Sequence, residues 1–107
     1  MIKECNAQEL REKLVSKEPL QLIDCRELEE WNEAHIAEAT LIPLSEFEAK
    51  YETFLKDKNA QVIIQCRSGA RSMKACMFLL SKGFTNLTNL SGGILGWKQV
   101  GFPVITE

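Results

Sequence analysis

The chain has 107 residues, 45% of them hydrophobic and 26% charged, with a formal net charge of -2. No basic block interleaved with aromatic residues occurs, so the electrostatic footprint of a nucleic-acid binder is missing, and no apolar run approaches the ~18 residues of a membrane span. One domain over 1–107 is expected to fold around its own core without disulfides or metal, and a cytoplasmic location is expected because Met1-Ile-Lys-Glu-Cys5 lacks the apolar stretch of a secretory signal.

Asn6-Ala-Gln-Glu9 has the form of a capping box, and Ala7, Leu10, Leu14 and Val15 then recur at the spacing of a helix buried on one face, predicting a helix over 7–17. Leu20-Gln-Leu-Ile-Asp24, after Pro19, is predicted as a strand ending at Asp24, with a turn at Cys25-Arg26-Glu27. A short helix over 28–34 is expected to bury Leu28 and Trp31, and Thr40-Leu-Ile42 reads as a strand ahead of Pro43. Ser45-Glu-Phe-Glu48 has the form of a second capping box, opening a helix with Phe47, Tyr51, Phe54 and Leu55 on its inner face. Gln61-Val-Ile-Ile-Gln65 is β-branched at its centre and apolar on both faces, as expected of a strand inside a parallel sheet covered by helices. An apolar helix over 70–82 follows, ended by Gly83. Leu87-Thr-Asn-Leu90 is the last predicted strand, and Ser91-Gly-Gly93 turns into a helix through Trp97. Strands alternating with helices in this rhythm predict an α/β fold with a mainly parallel sheet, whose ligands sit at the carboxyl ends of strands.

The four cysteines, at 5, 25, 66 and 76, form no C-x-x-C pair, and His35 is the one histidine. Zinc-ligand spacing is therefore missing, and neither a metal nor a cofactor is expected. Cys66-Arg-Ser-Gly-Ala-Arg-Ser72 stands apart because it joins the strongest strand to the most apolar helix. A thiol there faces helix N–H groups without partners, the positive end of the helix dipole, and the guanidiniums of Arg67 and Arg71; each favours the thiolate, the nucleophilic form. Gly69 lets the backbone curl so that amides converge as an anion nest. A cysteine at a strand end is by itself commonly inert packing. Two arginines, a glycine and a helix start within seven residues support the functional reading: a nucleophilic Cys66 in a cradle of Arg67, Ser68, Gly69, Ala70, Arg71 and Ser72.

Asp24-x-Arg26-Glu27, His35-Ile36 ahead of Ile42-Pro43, the loop 66–72, and Gly92-Gly93 with Trp97, Gly101 and Pro103 occur in an order that resembles the single-domain rhodanese family, sulfurtransferases of the thiosulfate or related type. The resemblance covers nearly the whole chain. It implies a rhodanese-like fold, a five-stranded, mainly parallel sheet flanked by helices on both faces, and Cys66 as the carrier of a persulfide. A small anionic donor such as thiosulfate and a thiophilic acceptor are then expected: cyanide in an assay, a thiol or a sulfur-accepting protein in the cell; the charge pattern and the lack of a long apolar run leave no expectation of nucleic acid or membrane as partner. Arg67 and Arg71 are expected to orient the donor, the loop amides to stabilise the sulfur anion, and Asp24 and Arg26 to brace the loop. Where the family has Gly-His-Ile-Pro-Gly-Ala, this chain has Ala34-His-Ile-Ala-Glu-Ala39, which suggests a more helical segment. Cys25 stands where the family often has valine, either as packing or as a resolving thiol for Cys66.

Two other readings compete. A cysteine-based phosphatase or arsenate reductase would also use a cysteine, a backbone cradle and an arginine, but its loop has five residues between cysteine and arginine, against four here. A non-catalytic interaction module of the same fold would be marked most cheaply by loss of the cysteine, and Cys66 is present.

Overall fold

The structure, a computed structural model, describes residues 1–106. Strands β1 (Ile2–Cys5), β2 (Gln21–Asp24), β3 (Ala39–Leu41), β4 (Val62–Gln65) and β5 (Leu87–Leu90) form one sheet in the order β1-β5-β4-β2-β3, with every pairing parallel. Five helices connect and cover them: α1 (Ala7–Val15), α2 (Leu28–Glu33), α3 (Phe47–Phe54), α4 (Ala70–Ser81) and α5 (Gly93–Gln99). Because strand side chains alternate between faces, Ile23, Val62, Ile64 and Leu87 pack against Phe47 and Tyr51 of α3 and Ala75, Cys76 and Leu79 of α4. Leu22, Ile63 and Leu90 point the other way, onto Ala7 and Leu10 of α1 and Ile94 and Trp97 of α5. The α/β architecture is therefore the expected one, with helices on both faces.

Topology fixes where chemistry can happen. The connection leaving β2 runs outward to β3, and the one leaving β4 runs the opposite way to β5. Between the carboxyl ends of β2 and β4 the chain paths diverge, which opens the crevice where parallel sheets bind ligands. Asp24 is in register with Gln65, and the Cys25 amide donates to the Gln65 carbonyl at 3.0 Å. Cys25 and Cys66 thus follow side by side at that crevice.

Local chemistry explains both the agreements and the differences. The capping box at Asn6 is formed, with Glu9 N donating to Asn6 Oδ1 and Asn6 N donating to Glu9 Oε1, each at 2.8 Å. Helix α4 stops just before Gly83, which takes a positive φ of 93°. The expected box at Ser45 does not form: Ser45 Oγ donates to Glu27 Oε1 at 2.8 Å, and a 3-10 turn over Leu44–Glu46 leads into α3. Helix α2 buries neither Leu28, which is 55% exposed, nor Trp31, which stacks on His35 at 3.7 Å between ring centroids. The segment after it is not helical; His35 bridges to Ile105 through two backbone hydrogen bonds and β3 begins at Ala39. Strand β1 was not foreseen, since an edge strand with Lys3 and Glu4 in solvent carries no apolar pattern. Among the described residues no helix is long and apolar enough to cross a membrane.

Candidate active site

Strand β4 delivers Cys66 into the crevice, and the chain then turns sharply to start α4. Gly69, the N-cap residue, has φ 116°, a left-handed conformation that a side chain would resist. That turn aims two amides at the sulfur: Gly69 N donates to Cys66 Sγ at 3.1 Å and Ser72 N at 3.3 Å. The Ser72 hydroxyl lies 3.4 Å from Sγ and 2.5 Å from Asn89 Oδ1. Asn89, on β5, also donates from Nδ2 to the Gly69 carbonyl at 3.2 Å and to Glu4 Oε2 at 3.3 Å. Behind the loop, the first amides of α5 hold its carbonyls: Ile94 N donates to Cys66 O at 2.9 Å and Leu95 N to Arg67 O at 3.1 Å. Arg67, Ser68 and Ala70 lie exposed around this turn.

The basic residues depart from expectation. Arg71 is paired: NH1 and NH2 donate to Glu30 Oε1 and Oε2 at 2.7 and 2.8 Å, closing one edge of the guanidinium on a carboxylate and offsetting its charge. Arg67 is in solvent, and no carboxylate among the described residues pairs with it. Asp24 and Arg26 do form a buried pair, with Arg26 Nε and NH2 on the carboxylate at 3.0 and 2.7 Å. Arg26 then donates to the carbonyls of Ala34 (2.7 Å) and Glu30 (3.3 Å), so the pair ties down α2 and its exit rather than the Cys66 loop itself. Through Glu30 the pair also connects to Arg71 of the loop. Glu30 and Asn89 were both missed in the sequence. Asn89 carried a signal, being a polar residue in phase with Leu87 on a strand covered on both faces, where a buried amide needs partners.

A thiol at the switch point with amides converging on its sulfur fits the resemblance, and the rhodanese-like domain model matches residues 6–100. The chain belongs to the rhodanese-like family. A sulfurtransferase of Allochromatium vinosum is 33% identical over 105 residues, covering 98% of this chain and 96% of the relative. A putative sulfurtransferase of Bacillus subtilis is 41% identical over 97 residues, 91% of each. Among solved structures, a rhodanese-like domain protein from Staphylococcus aureus superposes with a TM-score of 0.85 at 30% identity, covering 98% of both chains. These relatives support a role in sulfur transfer.

In this rhodanese-like site the electrostatics single out one thiol of four. The neighbouring Cys25 thiol, opposed by burial and aided by the Ser72 hydroxyl and the Ser72 and Gly69 amides, holds the Cys66 thiol down to about 4. The same contact with Cys66, then burial, pushes the Cys25 thiol well above its ordinary range. Burial pushes Cys5 up to about 11 and Cys76 up to about 12. His35 takes no part: its Nδ1 lies 3.0 Å from the Trp31 carbonyl oxygen and its ring is stacked.

Proposed function

We propose that the protein is a sulfurtransferase that carries a sulfane sulfur as a persulfide on Cys66. The observation that carries this reading is a buried sulfur at the switch point of the sheet, met by the Gly69 and Ser72 amides, an arrangement that favours the thiolate. In the first step the Cys66 thiolate attacks the outer sulfur of an anionic donor such as thiosulfate; a new S–S bond forms, the old one breaks, and sulfite leaves with the bonding pair. In the second, a thiol, cyanide or an accepting protein attacks the outer sulfur of the persulfide, and the Cys66 thiolate leaves, giving ping-pong kinetics. The amides of Gly69 and Ser72 stabilise the anion in both steps without carrying net charge. Arg67, exposed at the second position of the loop, is the cation that attracts the donor. The phosphatase reading is disfavoured because the loop has four residues between Cys66 and Arg71 against five, and because Arg71, the residue that would hold phosphoryl oxygens, has its charge offset by Glu30.

The test is to mix reduced protein with thiosulfate, weigh it intact, and add cyanide. One added sulfur, released as thiocyanate and missing from Cys66→Ser, is the expected outcome. If thiosulfate and a thiosulfonate both leave wild-type protein at its original mass, Cys66 is not a sulfur carrier.

A further inference from the structure

We propose that Glu30 sets the charge of the sulfur donor that this site accepts: by closing on Arg71 it makes the site favour a singly charged donor over a dianion. The inference rests on the persulfide chemistry at Cys66 proposed above and adds to it a choice among donors.

The ion pair is built to stay closed. Both carboxylate oxygens of Glu30 are taken by Arg71, and Oε1 also accepts from the Glu27 amide at 3.0 Å. The helix that carries Glu30 is itself held by Arg26, which donates to the Glu30 carbonyl while anchored on fully buried Asp24. Glu30 and Arg71 side chains are 29% and 33% exposed, so their charges are only partly screened by solvent. Arg71 lies close enough to Cys66 for their charges to interact, and Glu30 offsets that positive charge, so little net positive charge remains beside the thiolate, whose donors are neutral amides and a thiol. A second negative charge on an incoming donor meets repulsion that a free Arg71 would have cancelled. Arg67 remains as an attracting cation, but it lies in solvent, where its field is weak.

Two donors separate charge from chemistry. Thiosulfate is a dianion; methanethiosulfonate carries one negative charge and the same terminal sulfur. In each case the Cys66 thiolate forms a bond to the outer sulfur, the existing S–S bond breaks, and the leaving group, sulfite or methanesulfinate, departs with the electron pair. The persulfide left behind is identical.

The experiment measures kcat/KM for both donors in wild type, Glu30→Gln and Arg71→Gln, with cyanide as acceptor, after intact mass has verified loading on Cys66. Gln at 30 keeps the shape and loses the charge. The ratio of thiosulfate to thiosulfonate efficiency is expected to rise on the order of tenfold in Glu30→Gln, mainly through the KM for thiosulfate, as for loss of one charge of a partly exposed pair. It is expected to fall in Arg71→Gln, which leaves Glu30 unopposed. General damage to the loop cannot move the ratio in opposite directions. An unchanged ratio in both variants, with both donors still loading Cys66, overturns the proposal, as does an unchanged ratio in Arg71→Gln alone if Glu30→Gln does not fold. If neither donor loads wild-type Cys66, the persulfide reading itself fails and the donor choice falls with it.

Discussion

Replacing Gly93 by alanine tests how tightly the nucleophile's backbone is held. Gly93 has φ 56°, and a Cβ built on it would stand 2.4 Å from the Cys66 carbonyl oxygen and 2.5 Å from that of Arg67, where real Cβ contacts stay beyond 3.0 Å. Both obstacles are backbone, so α5 must back away by more than half an ångström. The hydrogen bonds from Ile94 N and Leu95 N to those same carbonyls are then lost or stretched. The left-handed conformation costs an alanine about 1–2 kcal/mol, and two weakened hydrogen bonds at about 1 kcal/mol each bring the total to about 3–4 kcal/mol. Gly101 supplies the control: its φ is 83° and a Cβ there meets nothing within 4 Å, so only the conformational cost of about 1–2 kcal/mol applies. Urea unfolding monitored by tryptophan fluorescence should show Gly93→Ala less stable than Gly101→Ala by about 2 kcal/mol. Its Cys66 should also alkylate more slowly at pH 6, because the moved loop no longer presents its amides squarely. Equal losses for the two variants would refute the claim that α5 clamps the loop.

Two further outcomes follow from the same geometry. With its thiol held down to about 4, Cys66 should alkylate at a rate nearly independent of pH from 8 down to about 5; a rate climbing tenfold per unit through that range would contradict the cradle. Because the folded thiol is ionised where the unfolded one is protonated, the unfolded state binds more protons, so the stability of wild type relative to Cys66→Ala should rise with pH between about 5 and 8, and that gain should fade as pH falls toward 4. Asp24→Ala, which strands Arg26 in a buried setting, should cost about 3–5 kcal/mol in urea unfolding, while Asp24→Leu combined with Arg26→Met should cost less; a larger loss in the double variant would mean that the pair stabilises by more than mutual neutralisation.

Elements whose cause is local were legible in the sequence, and those whose cause is long-range were not. The cap at Asn6, the stop at Gly83 and the doubly covered strand β4 depend on a few adjacent residues, and each lies where its pattern places it. Cys66 was legible for the same reason, since a strand end, a glycine and a helix start are contiguous. The partner of Arg71 was not, because α2 carries acids at 29, 30 and 33 and only its docked phase decides that Glu30 faces a residue 41 positions away. Ser45 failed as a cap for a related reason: Glu27, 18 residues upstream, offers its hydroxyl a charged acceptor. Edge strand β1 depends on pairing with β5, the far end of the chain, and its polar residues face solvent.

The site separates two tasks that a single arginine could have combined. Stabilising a thiolate needs positive potential at the sulfur; recruiting an anionic donor needs positive charge at the entrance. Here the first is met by neutral groups, the Cys25 thiol first and then the Ser72 hydroxyl and the fixed Ser72 and Gly69 amides. Such donors act at contact range and fade quickly with distance, so they sharpen the nucleophile without drawing in anions. The charge of Arg71, expected to serve the second task, is offset by Glu30, and the pair also joins α2 to the start of α4. On the proposed reading, a sulfur activated by neutral groups in a site of little net positive charge would discriminate against highly charged donors while remaining reactive, and would leave a persulfide there open to attack by thiols that approach as the neutral form or as a single anion. Salt dependence follows from the same division: sulfur loading from a dianion should respond to ionic strength chiefly through Arg67, and the intrinsic reactivity of Cys66 toward a neutral alkylating agent should not respond at all.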